Sequence, residues 1–299
     1  MLSPSRPGLL LTLVALTAAL AGCTAPRAPL LATPAPAEAT RTGSPPEATP
    51  GSAPSPTRSP GPTTPSSPAT STSTPGPRPV TVAGSAAIEI ERGDTAGHDI
   101  ALTFDCAANS GPTQEILDVL TQENVSVTFF MVGIWARDHQ DLTKQIAQRH
   151  ELANHSWAHP DYRDLTAAEI AADLDRNEAF LLALTGKSTK PIWRAPSGAR
   201  DNPVLAAAAA AGWPQHIFWT IGQDRRGTVT GDSGDWRGIP GPEVQANMVR
   251  AAGLGGGVIT VSHCDAQGTA ETIRDSIRAF RAAGLRIVTV SELLRGMGR

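Results

Sequence analysis

Between residues 99 and 294, short apolar runs rich in β-formers alternate with helical patterns, and this alternation narrows the possible folds more than any other feature. Runs at 100–105, 126–131, 151–154, 191–194, 216–220, 257–262 and 286–290 have strand length and composition. Helix signals separate them. Pro112 stands in a first turn, Thr166 and Glu169 have capping-box spacing, and Asn202-Pro203 opens an alanine-rich helix stopped by Gly212. Helical patterns at 242–252 and 270–283 end at Gly253 and Gly284. Strand–helix alternation implies an α/β fold, a parallel sheet covered by helices, with chemistry on loops at the C-terminal ends of the strands. The polar candidates fall there: Asp105, His155, Arg194 and His263 each follow an apolar run.

Composition divides the rest of the chain. Residues 1–23 read as an export signal: Arg6 supplies positive charge, and the apolar stretch 9–20 is short for a membrane span. It ends at Leu20-Ala21-Gly22-Cys23, which resembles a bacterial lipobox and makes Cys23 the expected lipidation site. Residues 24–80 are dominated by Pro, Ala, Ser, Thr and Gly, too poor in large apolar side chains to offset their ordering entropy, and are expected to form a disordered stalk. Residues 81–299 then form one domain. A net charge of −3 and the lack of a basic run argue against a nucleic-acid partner. These features predict a monomer outside the cytoplasm, held to the membrane through its N-terminal lipid alone. Beyond Cys23, the cysteines are Cys106 and Cys264, which an exported domain can keep as thiols or join as a disulfide.

His155-Ser156-Trp157-Ala158-His159-Pro160 offers two imidazoles four residues apart after a strand, a spacing that lets both reach one metal ion. Ser156 follows the first histidine where a zincin would need Glu. Asp105 at a buried strand end suits a general base beside an activated water, or simply a helix cap. His263 suits a general acid for a leaving amine, or a packed core histidine.

These residues, in order, resemble the NodB-type polysaccharide deacetylases over residues 99–294. Thr103-Phe104-Asp105 resembles the first motif, whose aspartate is the catalytic base. His155 and His159 match the metal-ligand pair of the second. Arg194-Ala195-Pro196-Ser197-Gly198 resembles the third, in which the arginine braces the base, the proline lies against the substrate, and the Ser197 backbone N–H joins the oxyanion hole. Asp232-Ser233-Gly234-Asp235-Trp236 resembles the fourth. There Asp232 would orient the catalytic histidine and Trp236 would line the acetyl pocket. Val261-Ser262-His263 resembles the fifth, contributing a pocket wall and the general acid.

The resemblance implies a distorted (β/α) barrel of about seven parallel strands surrounded by helices. It also implies a divalent cofactor, zinc being the expected ion, and removal of N-acetyl groups from an envelope polysaccharide. The address favours peptidoglycan amino sugars. Two departures qualify this. Cys106 stands where the family has a second aspartate as third metal ligand; it could bind zinc as a thiolate or pair with Cys264, leaving Asp105, Asn109 or water to complete the shell. The polar stretch 222–231 reads as a loop insertion, either flap or neutral surface. The competing function is a non-catalytic glycan-binding protein on a deacetylase scaffold. His98, His139, His150 and His216 read as surface or packing histidines, and Trp135, Trp193, Trp213 and Trp219 as core.

Overall fold

The computed structural model describes residues 87–297. The expected signal segment, Cys23 and the stalk lie outside the described residues. The strands are β1 (Ile88–Ile90), β2 (Asp99–Cys106), β3 (Thr128–Met131), β4 (Glu151–Asn154), β5 (Ile192–Trp193), β6 (Gln215–Ile217), β7 (Ile221–Asp224), β8 (Gly227–Thr230), β9 (Ile259–His263) and β10 (Arg286–Val288). The helices are α1 (Thr113–Gln122), α2 (Gly133–Asp138), α3 (Gln140–Arg149), α4 (Ala167–Thr185), α5 (Asn202–Ala210), α6 (Gly241–Ala252), α7 (Gln267–Ala282) and α8 (Val290–Arg295).

The main sheet runs β1-β6-β5-β4-β3-β2-β10, with β9 also on β2, and every pairing in it is parallel. Seven of its strands are those expected from the sequence; β1 is the addition. The sheet curls into a half-barrel. Its open side is drawn in by backbone bonds from Thr220 to Ile259 and from Gly93 to Gly257.

Side-chain alternation along β2 decides what faces where. Ile100, Leu102, Phe104 and Cys106 point outward and are fully buried against α1, α6 and α7, whose own stripes include Ile116, Leu120, Met248, Ile273, Ile277 and Phe280. Each such side chain contributes roughly 1.5–3 kcal/mol on burial. The alternate residues face the barrel interior, where Ala101 packs with Phe130, Ala153, Ile192, Ile217 and Ile259, and α8 supplies Leu293 and Leu294. Thr103 and Asp105 continue that interior face toward the mouth.

Local signals worked as the sequence implied for α4, where Thr166 and Glu169 form a reciprocal capping box and Gly186 ends the helix in the left-handed conformation. At α5 the cap is Asp201, whose side chain accepts from the Val204 N–H. The polar stretch 222–231 is ordered as the antiparallel hairpin β7–β8, joined through Arg225 and Arg226. Among the described residues no helix is long and apolar enough to cross a membrane.

Candidate active site

Four strand ends meet at one rim. Asp105 is the penultimate residue of β2, His263 ends β9, His155 follows β4 and Arg194 follows β5. Asp105 and His263 are direct register partners on neighbouring strands. Below them on the same face of β9 lies Val261, almost fully buried opposite Thr103.

Asp105 is buried, yet its carboxyl stays below the usual carboxylate range. Burial pushes it up, but the charges of Arg194, His155 and His263 and the bond to Arg194 outweigh that cost. The Arg194 guanidinium is fully buried over the Phe130 ring. Its Nη1 donates to Asp105 Oδ1 at 2.6 Å and to Thr103 Oγ1 at 3.0 Å, and its Nε donates to the Ile217 carbonyl at 3.0 Å. Three donor contacts fix the arginine before any ligand arrives.

The segment after β4 is bent by two residues with left-handed backbone, Ser156 (φ 74°) and His159 (φ 61°). Side chains are uncommon there, and such conformations persist only when neighbours hold them. Asn154 accepts from the Ser156 N–H, Ser156 Oγ from the His159 N–H, and Asp173 from both the Trp157 N–H and the Tyr162 hydroxyl. The two imidazoles stand edge to face with centroids 5.0 Å apart. Burial lowers both histidines, His155 to about 4, so they are neutral and carry lone pairs at neutral pH. His155 Nδ1–H donates to the Arg194 carbonyl at 3.0 Å, which leaves Nε2 unprotonated and 3.5 Å from Asp105 Oδ2.

This spacing suits a shared cation, since two ligands of one zinc ion at tetrahedral angles stand roughly 3.4 Å apart. Cys106 does not join them. Of the two roles left open for Cys106, the structure shows the disulfide with Cys264, with Cα atoms 5.0 Å apart in the outward-facing core, and the metal-ligand role is corrected: a disulfide sulfur has no thiolate to offer. Asn109 is also turned away, its amide on Asp265. Among the described residues no three His, Cys, Asp or Glu side chains converge as a ready-made metal site. What remains for a cation is the neutral pair His155 and His159, with Asp105 3.5 Å from His155 Nε2.

A second correction concerns His263. The aspartate that grips it is Asp235, not Asp232. Asp235 Oδ1 pairs with His263 Nδ1 at 2.7 Å, while Oδ2 accepts from the His263 backbone N–H at 2.8 Å and from the Thr269 hydroxyl at 2.6 Å. The reason is local geometry. Asp232 spends its oxygens on the Gly234 N–H and the Trp236 indole, at 2.8 and 3.2 Å, making the turn that swings Asp235 inward. Gly231 permits this approach, because a Cβ there would collide with the Ile259 carbonyl. Burial pushes His263 down, but the bond to Asp235 and the charges of Asp105, Asp235 and Asp232 outweigh it, so the imidazole is held above its ordinary value.

At the rim, Pro196 is buried while Ser197 is exposed and left-handed (φ 53°). Trp236 stands 63% exposed rather than enclosed. Beside it a cavity of about 400 Å³ is lined by Asp235, Trp236, Pro240, Asp265 and Glu271. His216, which had no role in the sequence, lies directly behind the Arg194–Ala195 segment, with its Nε2 accepting the Ala195 N–H at 3.2 Å.

Comparison with known proteins agrees with this geometry. The family pattern described as Polysaccharide deacetylase matches residues 92–216. A chitooligosaccharide deacetylase of Rhizobium leguminosarum bv. trifolii is 32% identical over 207 residues, covering 67% of this chain and 86% of that protein. The peptidoglycan-N-acetylmuramic acid deacetylase of Bacillus subtilis is 29% identical, covering 68% and 73%. Among solved structures, a CE4 family pseudoenzyme from Bacillus anthracis superposes with a TM-score of 0.61 at 25% identity, covering 69% of this chain and 68% of that one. A mutant described as having restored enzymatic activity also gives 0.61. The chain spans from 49% to 88% of the length of curated relatives it matches. The chain belongs to the polysaccharide deacetylases, hydrolases that act on amide bonds outside peptides.

Proposed function

We propose that this protein is a metal-dependent deacetylase that removes N-acetyl groups from an envelope glycan, with peptidoglycan amino sugars as its substrate. The observation that carries the reading is the pairing of Asp105 with His263 across β2 and β9, the carboxyl held below its ordinary pKa and the imidazole held above its own, beside two neutral imidazoles. Environments that drive two titratable groups apart assign the base and the acid.

Asp105 takes the proton of the water that attacks the acetyl carbonyl carbon, and Arg194 keeps it ionised for that task. The Ser197 N–H donates to the developing oxyanion, a contact typically worth about 3–4 kcal/mol. His263, with Nδ1 occupied by Asp235, gives its Nε2 proton to the departing amine. The C–N bond breaks to release acetate and a free amino sugar. His155 and His159 would hold a divalent cation, which would polarise the carbonyl and acidify the water.

The substrate choice rests on the envelope address proposed for the chain, Cys23 carrying the lipid and residues 24–80 forming the stalk. The Bacillus subtilis relative, named for a peptidoglycan activity, supports the same choice. Acetate release from peptidoglycan and from N-acetylglucosamine oligomers, with zinc supplied, tests both the activity and the preference. Asp105→Asn lowers kcat about 10²–10⁴-fold.

One observation favours a second reading. The disulfide removes the sulfur that could have been a third ligand, and a structural neighbour is described as a pseudoenzyme. A folded, zinc-treated protein that binds glycan yet releases no acetate establishes glycan binding in place of catalysis.

A further inference from the structure

The Arg194–Ala195 peptide group is bonded at both ends by imidazoles. Its carbonyl accepts from His155 Nδ1–H at 3.0 Å, and its N–H donates to His216 Nε2 at 3.2 Å. His216 is 1% exposed on β6, edge-on to Trp193, its register partner on β5. Because Nε2 accepts, the ring proton of neutral His216 sits on Nδ1. That atom faces Glu89 Oε1 at 3.7 Å, which is a contact of charge with dipole rather than a hydrogen bond. Glu89 is anchored in turn by Arg200, whose Nε donates to it at 2.5 Å. Residues from β1, β6, the loop after β5 and the loop after β4 thus form one polarised line ending at His155 Nε2.

We propose that His216 is a positioning residue for the deacetylase centre. It holds the Arg194–Ala195 peptide, which fixes the tautomer and ring angle of His155 and the root of the arginine that braces Asp105. A histidine ligand is ordinarily oriented by a carbonyl or carboxylate on its other nitrogen, and losing that partner typically costs 10–100-fold in affinity or activity. Here the carbonyl is itself held from behind, by a side chain that touches neither substrate nor cation. In low-dielectric surroundings such chains polarise one another, so a negative Glu89 beyond His216 raises the electron density offered at His155. The proposal rests on the deacetylase function for its kinetic arm only.

The test compares His216→Phe, which keeps an aromatic body and removes the acceptor, with His216→Gln, whose amide oxygen can reach the position of Nε2. In ¹⁵N-histidine-labelled, metal-free protein, the wild type shows a protected His155 Nδ1–H. Its exchange with solvent rises at least about tenfold in His216→Phe and returns toward wild type in His216→Gln. Zinc affinity and kcat fall about 10–100-fold in the Phe variant with KM little changed, and the Gln variant recovers to within a few-fold. Should the Phe variant fail to fold, His216→Met makes the same comparison. Unchanged exchange and zinc affinity in a folded variant lacking the acceptor overturns the proposal, as does a Gln variant no better than Phe. Failure of acetate release in wild type bears on the deacetylase reading alone, because the exchange measurement needs neither metal nor turnover.

Discussion

Breaking the Cys106–Cys264 bond separates what the disulfide does for stability from what it does for the site. The cysteines are 158 residues apart in sequence, so the bond closes a very long loop. In the chain-entropy account, closing a loop of that size takes about 5 kcal/mol of conformational freedom from the unfolded chain at 25 °C. Domains have a total of about 5–15 kcal/mol. Cys106→Ala/Cys264→Ala also removes two buried sulfur atoms from the outward core, whereas reduction of the wild type does not. The two perturbations together therefore separate entropy from packing. With a urea m-value of about 2–3 kcal/mol/M, the reduced protein should unfold at a midpoint about 2 M lower. Activity should respond differently. Asp105 and His263 are kept opposite each other by a continuous ladder from Ala101↔Ile259 upward and by the Cys264 N–H on the Asp105 carbonyl. Where the reduced protein remains folded, kcat should thus stay within a few-fold of the oxidised value. A stability loss under about 1 kcal/mol refutes the loop argument, and a hundredfold fall in kcat shows that the bond, not the ladder, sets the register.

Asp235→Asn removes the charge that helps hold His263 above its ordinary pKa. A protonated acid is lost as pH rises through its folded value, so the alkaline limb of kcat should move to lower pH, with kcat falling about tenfold or more. Asp232→Asn should move that limb less, because Asp232 acts on His263 by charge alone. His150 is buried, its Nδ1 accepts the Val127 N–H at 3.4 Å, and burial lowers it to about 4. The unfolded chain then takes up the proton first as pH falls below about 6.5, and stability drops. His150→Asn, which keeps an acceptor and cannot titrate, should lose about 2 kcal/mol less than wild type between pH 7 and pH 5 in urea melts. Arg194→Met strands the Asp105 charge and should cost about 3–5 kcal/mol by the same measurement. Treatment with a chelator should abolish acetate release while the domain stays folded in urea melts, and zinc should restore it.

Much of the fold was legible because its signals are local. The seven main strands follow β-rich runs, and α4 begins where Thr166 and Glu169 say it should. The segment 132–150 carried weaker cues: α2 and α3 have no side-chain cap, and the break between them at His139 interrupts any helical period. In β1, Ile88 and Ile90 look like any short apolar pair until β6 lies beside them. The hairpin β7–β8 was hidden by its polar composition; Arg250 ties it to α6 through Asp224, a pairing across 26 residues. At the site, the strand-end rule brought Asp105, His155, Arg194 and His263 together. The family resemblance assigned the histidine's partner to Asp232, whereas a tight turn that only the structure reveals brings Asp235, three residues on, to His263. The spacing of His216 from other polar residues carried no signal, since its partner is a backbone N–H.

The buried charges explain how such a site tolerates its own desolvation. Asp105 has Arg194 at 2.6 Å, and His263 has Asp235 at 2.7 Å. Isolated, a buried aspartate or histidine would shift its pKa and lose its charge rather than stay buried charged. Paired, Asp105 is held below and His263 above its ordinary pKa, so the proton chemistry of a base and an acid is kept apart although their strands are adjacent. The pairing also divides the architecture. Arg194 reaches Asp105 across the barrel interior from β5, while Asp235 reaches His263 from the turn outside β9. The counter-charges therefore come from different segments, although Asp105 and His263 share one ladder. The proposed cation site, on the neutral imidazoles beside Asp105, would bring a positive charge that favours the Asp105 anion. The fold supplies the acid and base as neighbours by register. Its loops supply the counter-charges that make them different.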